Sequence, residues 1–207
     1  HYTNFLSDKN TNVSKEATQS LINRGAFNQS NVITVYNGID IDKFSKLSSY
    51  KQDRETIRFI SIGRFNEQKD YPNLLNAITK ISSKKNLSFD IVGDGELRPL
   101  IEDLILSLDI ADKVKLLGRR SDIPNLLNNS DFFILPSAYE GFGLVVAEAM
   151  ACGAFVIATN SGGVAEVMGD TGLLVPPQDS HALAQAMQQA LSLTDEQIEV
   201  NNKRARK

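Results

Sequence analysis

Between residues 57 and 175, six short apolar runs alternate with helical patterns, and each run ends in a turn carrying glycine or small polar residues. The runs lie at 57–62, 89–92, 114–117, 132–135, 155–158 and 172–175. Short apolar strands separated by helices are buried on both faces and close only as a parallel sheet with helices above and below. The predicted class is therefore α/β, a doubly wound parallel sheet of about six strands. Ligands on such sheets bind beyond the carboxyl ends of the strands. The glycines at 63, 93, 95, 118, 141, 143, 162 and 163 fall at those ends.

Helices are expected at 71–82, capped by Asp70 with Pro72 in the first turn, then from Gly95 to 107, and briefly to 128. Another is expected from Asp179 or Ser180 to 193, with a further helical stretch from Asp195 to 207. Ahead of residue 57 the pattern is looser. Residues 1–9 are polar and patternless, as in a chain that begins mid-protein. A short strand is expected at 12–14, a helix at 15–24 capped by Ser14 and ended by Gly25, and a β-branched strand at 32–36. Asn37-Gly38 turns the chain, Asp42-Lys43-Phe44 follows, and a polar linker at 45–55 suggests a domain boundary.

The fourth apolar run, Phe132-Phe133-Ile134-Leu135, leads into Pro136-Ser137-Ala138-Tyr139-Glu140-Gly141-Phe142-Gly143 and then a helix of small and apolar residues. That order aims a helix N-terminus and its free amides at the crevice. Glu140 stands in the turn and Glu148 about one turn into the helix. Helical side chains lean toward the N-terminus, so Glu148 should reach the crevice that Glu140 lines. Almost nothing else in that helix is polar. A carboxylate there is either satisfied by a partner or accepts hydrogen bonds from a ligand.

Arg64 and Lys69 follow the first strand. They suit a diphosphate, the planar guanidinium as a fork and the ammonium as a point charge, or they are two solvated surface charges. Other chemistries lack their residues. Gly93-Asp94-Gly95 meets Arg98 where a dinucleotide fingerprint needs its third glycine, and no acidic residue closes the next strand. With two histidines and the single Cys152, the chain has no cluster for a metal, no Ser/Cys–His pair for hydrolysis and no disulfide framework. A net charge of −3, with no basic block before the extreme C-terminus, argues against nucleic acid. No run approaches membrane-spanning length, and a reducing, cytoplasmic setting fits.

Taken together, Gly63-Arg64…Lys69, Val92-Gly93-Asp94-Gly95, Gly118-Arg119 and Pro136-Ser137…Glu140-Gly141-Phe142-Gly143…Glu148-Ala149…Gly153 resemble the retaining glycosyltransferases of family 4. Gly162-Gly163…Glu166 and Gly172-Leu173-Leu174-Val175-Pro176 continue the likeness, which covers about 32–193. The resemblance implies the GT-B fold, two Rossmann-like domains facing across a cleft. In that plan residues 1–31 are the remnant of an N-terminal domain and hinge, 32–193 the Rossmann-like donor-nucleotide domain, and 194–207 the start of a truncated helix.

It also implies roles. Glu148 would accept both ribose hydroxyls, and Glu140 would lie by the donor sugar. The amides of Gly141, Phe142 and Gly143 would hold sugar hydroxyls, and those of Leu144 and Val145 the phosphates. Arg64 and Lys69, beside Gly63 and Gly93, would neutralise the diphosphate without a metal ion or other cofactor. Arg119 and Arg120 would meet the base of a donor such as a UDP- or GDP-sugar. The acceptor, a glycan or lipid-linked glycan, would belong to the absent half, with possible peripheral membrane association of the whole protein. The isolated domain is expected to be inactive. A non-catalytic sugar-nucleotide module and a sugar-nucleotide epimerase are the alternatives on the same fold.

Overall fold

The computed structural model describes residues 8–47 and 55–206. Its centre is a six-stranded sheet, all parallel, built from β3 (Thr56–Ile62), β4 (Asn86–Val92), β5 (Val114–Gly118), β6 (Phe132–Leu135), β7 (Phe155–Thr159) and β8 (Leu173–Val175). The order across the sheet is β5-β4-β3-β6-β7-β8. The chain thus winds outward from β3 in one direction and from β6 in the other. Loops after these two central strands diverge to opposite faces and leave a crevice between them, the switch point at which such sheets take ligands.

Alternation along the strands divides the apolar residues between two layers. Phe59, Phe89, Phe132 and Phe155 face α2 (Tyr71–Ile78), α3 (Arg98–Ser107) and α7 (Ser180–Leu191). Phe59 stacks on Phe89 and Phe132 with ring centroids 4.8 and 5.0 Å apart. Each such buried ring is worth about 2–3 kcal/mol of removed apolar surface. Ile60, Phe133, Leu135, Val156 and Ala158 face the other way, against α4 (Ile123–Asn128), α5 (Leu144–Ala151) and α6 (Val164–Met168). Asp70 and Asp179 cap α2 and α7 as their sequence positions suggest. The last helix, α8 (Asp195–Ala205), opens with a capping box at Thr194 and Gln197.

Several boundaries differ from expectation. The helix expected at 71–82 stops at Ile78, where polar residues replace the apolar period. The last strand starts at Leu173 because Gly172 holds φ +69, off the extended region. A five-residue helix, α6, is too short to show a period in the sequence.

In the first segment β1 is Asn10–Asn12, α1 is Lys15–Asn23 with Ser14 as its cap, and β2 is Val32–Thr34. β2 pairs with β1 as a separate two-stranded parallel sheet and does not join the main one. Pairing therefore groups Val32–Thr34 with the residues before it, across the 31/32 boundary expected from the sequence. Of the expected linker at 45–55, residues 48–54 lie outside the described residues.

Candidate functional site

The loop after β3 is held close to the sheet by missing side chains. A Cβ on Gly93 would stand 1.8 Å from the Gly63 carbonyl oxygen, so only glycine lets these two strand ends meet. The Asn66 carboxamide accepts from Lys69 N at 3.1 Å and closes one turn of 3-10 helix, Glu67–Lys69. Asp70, in the left-handed region at φ 46, then starts α2. This tight fold sends the Lys69 chain back over Gly63, where a Cβ would meet it at 3.1 Å.

The loop after β6 is fixed just as firmly. Thr159 Oγ1 donates to the Ser137 carbonyl at 2.6 Å, and Ala138 N donates to Gln68 O at 2.9 Å, tying the two loops together. Ser137 is fully buried and its hydroxyl donates to Glu140 Oε2 at 3.4 Å. Behind Glu140 lies Gly162, where a Cβ would fall 1.6 Å from the Glu140 carbonyl oxygen. Lys69 Nζ pairs with Glu140 Oε2, and the two side chains keep 15% and 13% of their exposure. Gly143, at φ +87, opens α5 without a capping side chain. The first amides of α5 thus face the mouth with no intrahelical acceptor of their own.

These parts enclose a cavity of about 520 Å³. Gly63, Lys69, Glu140, Phe142, Gly143, Leu144, Val145 and Glu148 line it, as the sequence suggests. Glu148 is half-buried, and burial pushes its carboxyl above the ordinary range while the charge of Lys43 pulls it back.

Other expected residues lie elsewhere. Arg64 points into solvent, 70% exposed, with NH2 3.2 Å from Glu96 Oε2. Arg120 pairs with Asp122 through two bonds of 2.8 and 2.7 Å, and Arg119 is exposed. None of these three arginines lines the cavity, nor does Gly141, whose carbonyl accepts from Gly163 N at 3.3 Å. Gly93 acts from behind, through its contact with Gly63. The two acids and one of the two bases expected at the mouth therefore meet there, while Arg64 stands outside.

Ile62 and Ile123 also line the cavity without being expected there, and a further set comes from before the main sheet. Val13, Asn37, Lys43 and Phe44 also line the cavity. Glu166 docks this segment, accepting from the amides of Lys15 at 3.0 Å and Glu16 at 2.7 Å and from the Tyr36 hydroxyl at 3.0 Å. The Tyr36 ring lies 5.9 Å from that of Phe142 in the glycine turn. One signal was present: Phe44 is the single aromatic residue between Tyr36 and Tyr50. Among the described residues no group of three or more His, Cys, Asp or Glu is placed to hold a metal ion, and no helix is long and apolar enough to cross a membrane.

The family model described as glycosyl transferases group 1 matches residues 42–207. N-acetyl-alpha-D-glucosaminyl L-malate synthase of Bacillus anthracis is 37% identical over 178 residues, 81% of this chain and 46% of that protein. A glycosyltransferase of Methanocaldococcus jannaschii is 32% identical over 177 residues, 78% of this chain and 45% of that one. The chain spans about half the length of the curated relatives it matches. Among solved structures, Anabaena HepE in complex with UDP and glucose superimposes with a TM-score of 0.86 at 24% identity, over 99% of this chain and 59% of that one. That likeness shows the fold, the Rossmann-like domain of a GT-B architecture.

Proposed function

The chain belongs to the glycosyl transferases group 1 family, and from that premise we propose that its cavity binds a nucleoside-diphosphate sugar. In this reading the chain is the donor-binding domain of an enzyme that transfers the sugar to an acceptor hydroxyl with retention of configuration. One observation carries it: Lys69, Glu140 and Glu148 share a single cavity at the uncapped start of α5.

Each group then has a task. The diphosphate lies against the Leu144 and Val145 amides, and Lys69 turns from Glu140 to the phosphate oxygens. Glu140, released, accepts from sugar hydroxyls beside the anomeric carbon. Glu148, with two carboxylate oxygens and a half-buried seat, accepts from the vicinal hydroxyls of the ribose. Arg64 is proposed to swing in as the second cation. Its pair with Glu96 is exposed, and such pairs hold weakly. The bond from the anomeric carbon to the phosphate oxygen breaks, the acceptor oxygen bonds to that carbon on the same face, and its proton passes to the departing diphosphate. Negative charge growing on that leaving group is what the fixed ammonium stabilises, in the place a metal ion would otherwise take.

A neighbour solved with UDP supports a uridine donor, and GDP is the second arm of the test. Turnover is proposed to need the rest of the length present in the relatives, which would hold the acceptor. Calorimetry with UDP, GDP, ADP, NAD and inorganic pyrophosphate tests the reading. Binding of a nucleoside diphosphate supports it. Tight binding of NAD, or no binding of any nucleotide, overturns it.

A further inference from the structure

We propose that Lys43 is a positioning residue of this cavity, setting the electrostatic surroundings of Glu148 and through it the grip on a ribose. The inference rests on the donor-site reading of Glu148 given above. It begins with a residue that belongs to neither glycine loop.

Lys43 is supplied by the segment before the main sheet, and its backbone has little freedom. The Asp40 carboxylate accepts from the amides of Asp42 at 3.1 Å and Lys43 at 3.0 Å, and Phe44 N donates to Asp40 O at 2.8 Å. Phe44 anchors this turn. It is 7% exposed and packs in the apolar cluster with Val146, Ala149 and Met150 of α5, the helix that carries Glu148. The Lys43 ammonium lies 5.3 Å from the Phe44 ring centroid. Lys43 is thus pinned beside α5 by its neighbour in sequence, and both Lys43 and Glu148 line the cavity.

The charges around Glu148 leave the task to Lys43. Lys69 is paired with Glu140. Cys152, one turn along α5, is pushed up to about 11 by burial and by the Glu148 charge, so it stays a neutral thiol. Among the described residues Glu148 has no hydrogen-bonding side chain and no ion pair within 4.0 Å. Lys43 is the cation whose field opposes the desolvation of Glu148. Covering the cavity with a nucleotide removes more water from the carboxylate and makes that field matter more.

The test uses the chain with Lys43→Met, Lys43→Arg, Glu148→Gln and the double variant Lys43→Met/Glu148→Gln. Without ligand, carbonyl-13C titration of Glu148 should move to higher pH in Lys43→Met and return in Lys43→Arg. No movement overturns the proposal whether or not any nucleotide binds. With UDP, or whichever of GDP and ADP binds, Lys43→Met should lose less than about twofold at pH 8 and about fivefold once pH is lowered through the raised Glu148 value, because the loss tracks protonation of Glu148. Pyrophosphate affinity should not change, and Lys43→Met should add nothing in the Glu148→Gln background. An equal loss of pyrophosphate, or an undiminished loss in that background, overturns the proposal and makes Lys43 a phosphate ligand. Wild-type chain that binds no nucleotide while the titration shift is present instead refutes the donor-site reading, and with it the ribose role.

Discussion

Lys69 and Glu140, 71 positions apart and borne on the loops after the two central strands, form an ion pair across the mouth of the cavity. The pair joins the two halves of the sheet at the point where the strand order reverses. It also keeps both charges satisfied in the absence of a ligand.

Lys69→Met should leave Glu140 without its cation in a place only 13% exposed. Fully buried pairs cost about 3–5 kcal/mol to break in this way. Here the cavity is open to water, so about 1–3 kcal/mol is expected in urea unfolding. Pyrophosphate and nucleotide affinity should both fall, about tenfold or more. Adding Glu140→Gln should restore much of the stability and none of the phosphate binding. If pyrophosphate binds the single variant as well as it binds wild type, Lys69 is no phosphate ligand.

Glu148→Gln should trade binding for stability. Burial holds the Glu148 carboxyl above its ordinary range, so the folded state binds its proton more tightly than the unfolded one. The contribution is present below the unfolded pKa and is lost as pH rises through the raised folded value. At neutral pH the amide removes that penalty, and thermal melts should rise by about 2 °C. Nucleotide affinity should drop while pyrophosphate is unaffected. In wild type, nucleotide affinity should fall as pH is lowered through the raised value; a flat pH profile would contradict the ribose assignment.

Two glycines make a contrast. Gly162→Ala forces a Cβ toward the Glu140 carbonyl at a residue with φ +55, and about 2–4 kcal/mol of destabilisation with loss of nucleotide binding is expected. Gly141→Ala meets nothing within 4 Å and should change stability by less than about 0.5 kcal/mol. Equal tolerance of both in thermal melts and calorimetry would refute the crowding behind Glu140.

Glu166→Ala should free the first segment. Burial alone would push this carboxyl up, but the Glu16 and Lys15 amides, the Tyr36 hydroxyl and the Lys15 charge outweigh it and hold it below the usual range. Its stabilisation is present above the ordinary carboxylate range and is lost as pH falls through the lowered value. Hydrogen exchange in residues 10–36 should speed up by about tenfold, corresponding to 1–2 kcal/mol, while β3 to β8 keep their protection. Uniform acceleration across the chain would mean that Glu166 supports the whole fold and not this junction.

Much of the architecture was legible along the chain. Six apolar runs, five of them followed by glycine turns, dictate a buried parallel sheet because apolar periodicity is a local property. Phe132–Leu135 emerges at the expected limits with a helix after its glycine turn, and Ser14, Asp70 and Asp179 cap the helices expected of them. The two glutamates were legible too, since eight positions across one strand–turn–helix junction bring them to one crevice whatever the rest of the chain does.

Of the two cations expected beside these acids, only Lys69 meets them. Arg64 and Lys69 are five residues apart in one loop, yet Lys69 reaches Glu140 and Arg64 leaves for Glu96. The Asn66 cap and the left-handed turn at Asp70 set that division, and no composition rule encodes it. Lys43 reads as no more than the lead into a linker until Phe44 is seen buried against α5. Local sequence determines which elements form and which residues cap them, because those energies come from neighbours in the chain. Which charges meet at the crevice is decided by packing between distant elements, because an ion pair depends on distances that only the folded sheet supplies.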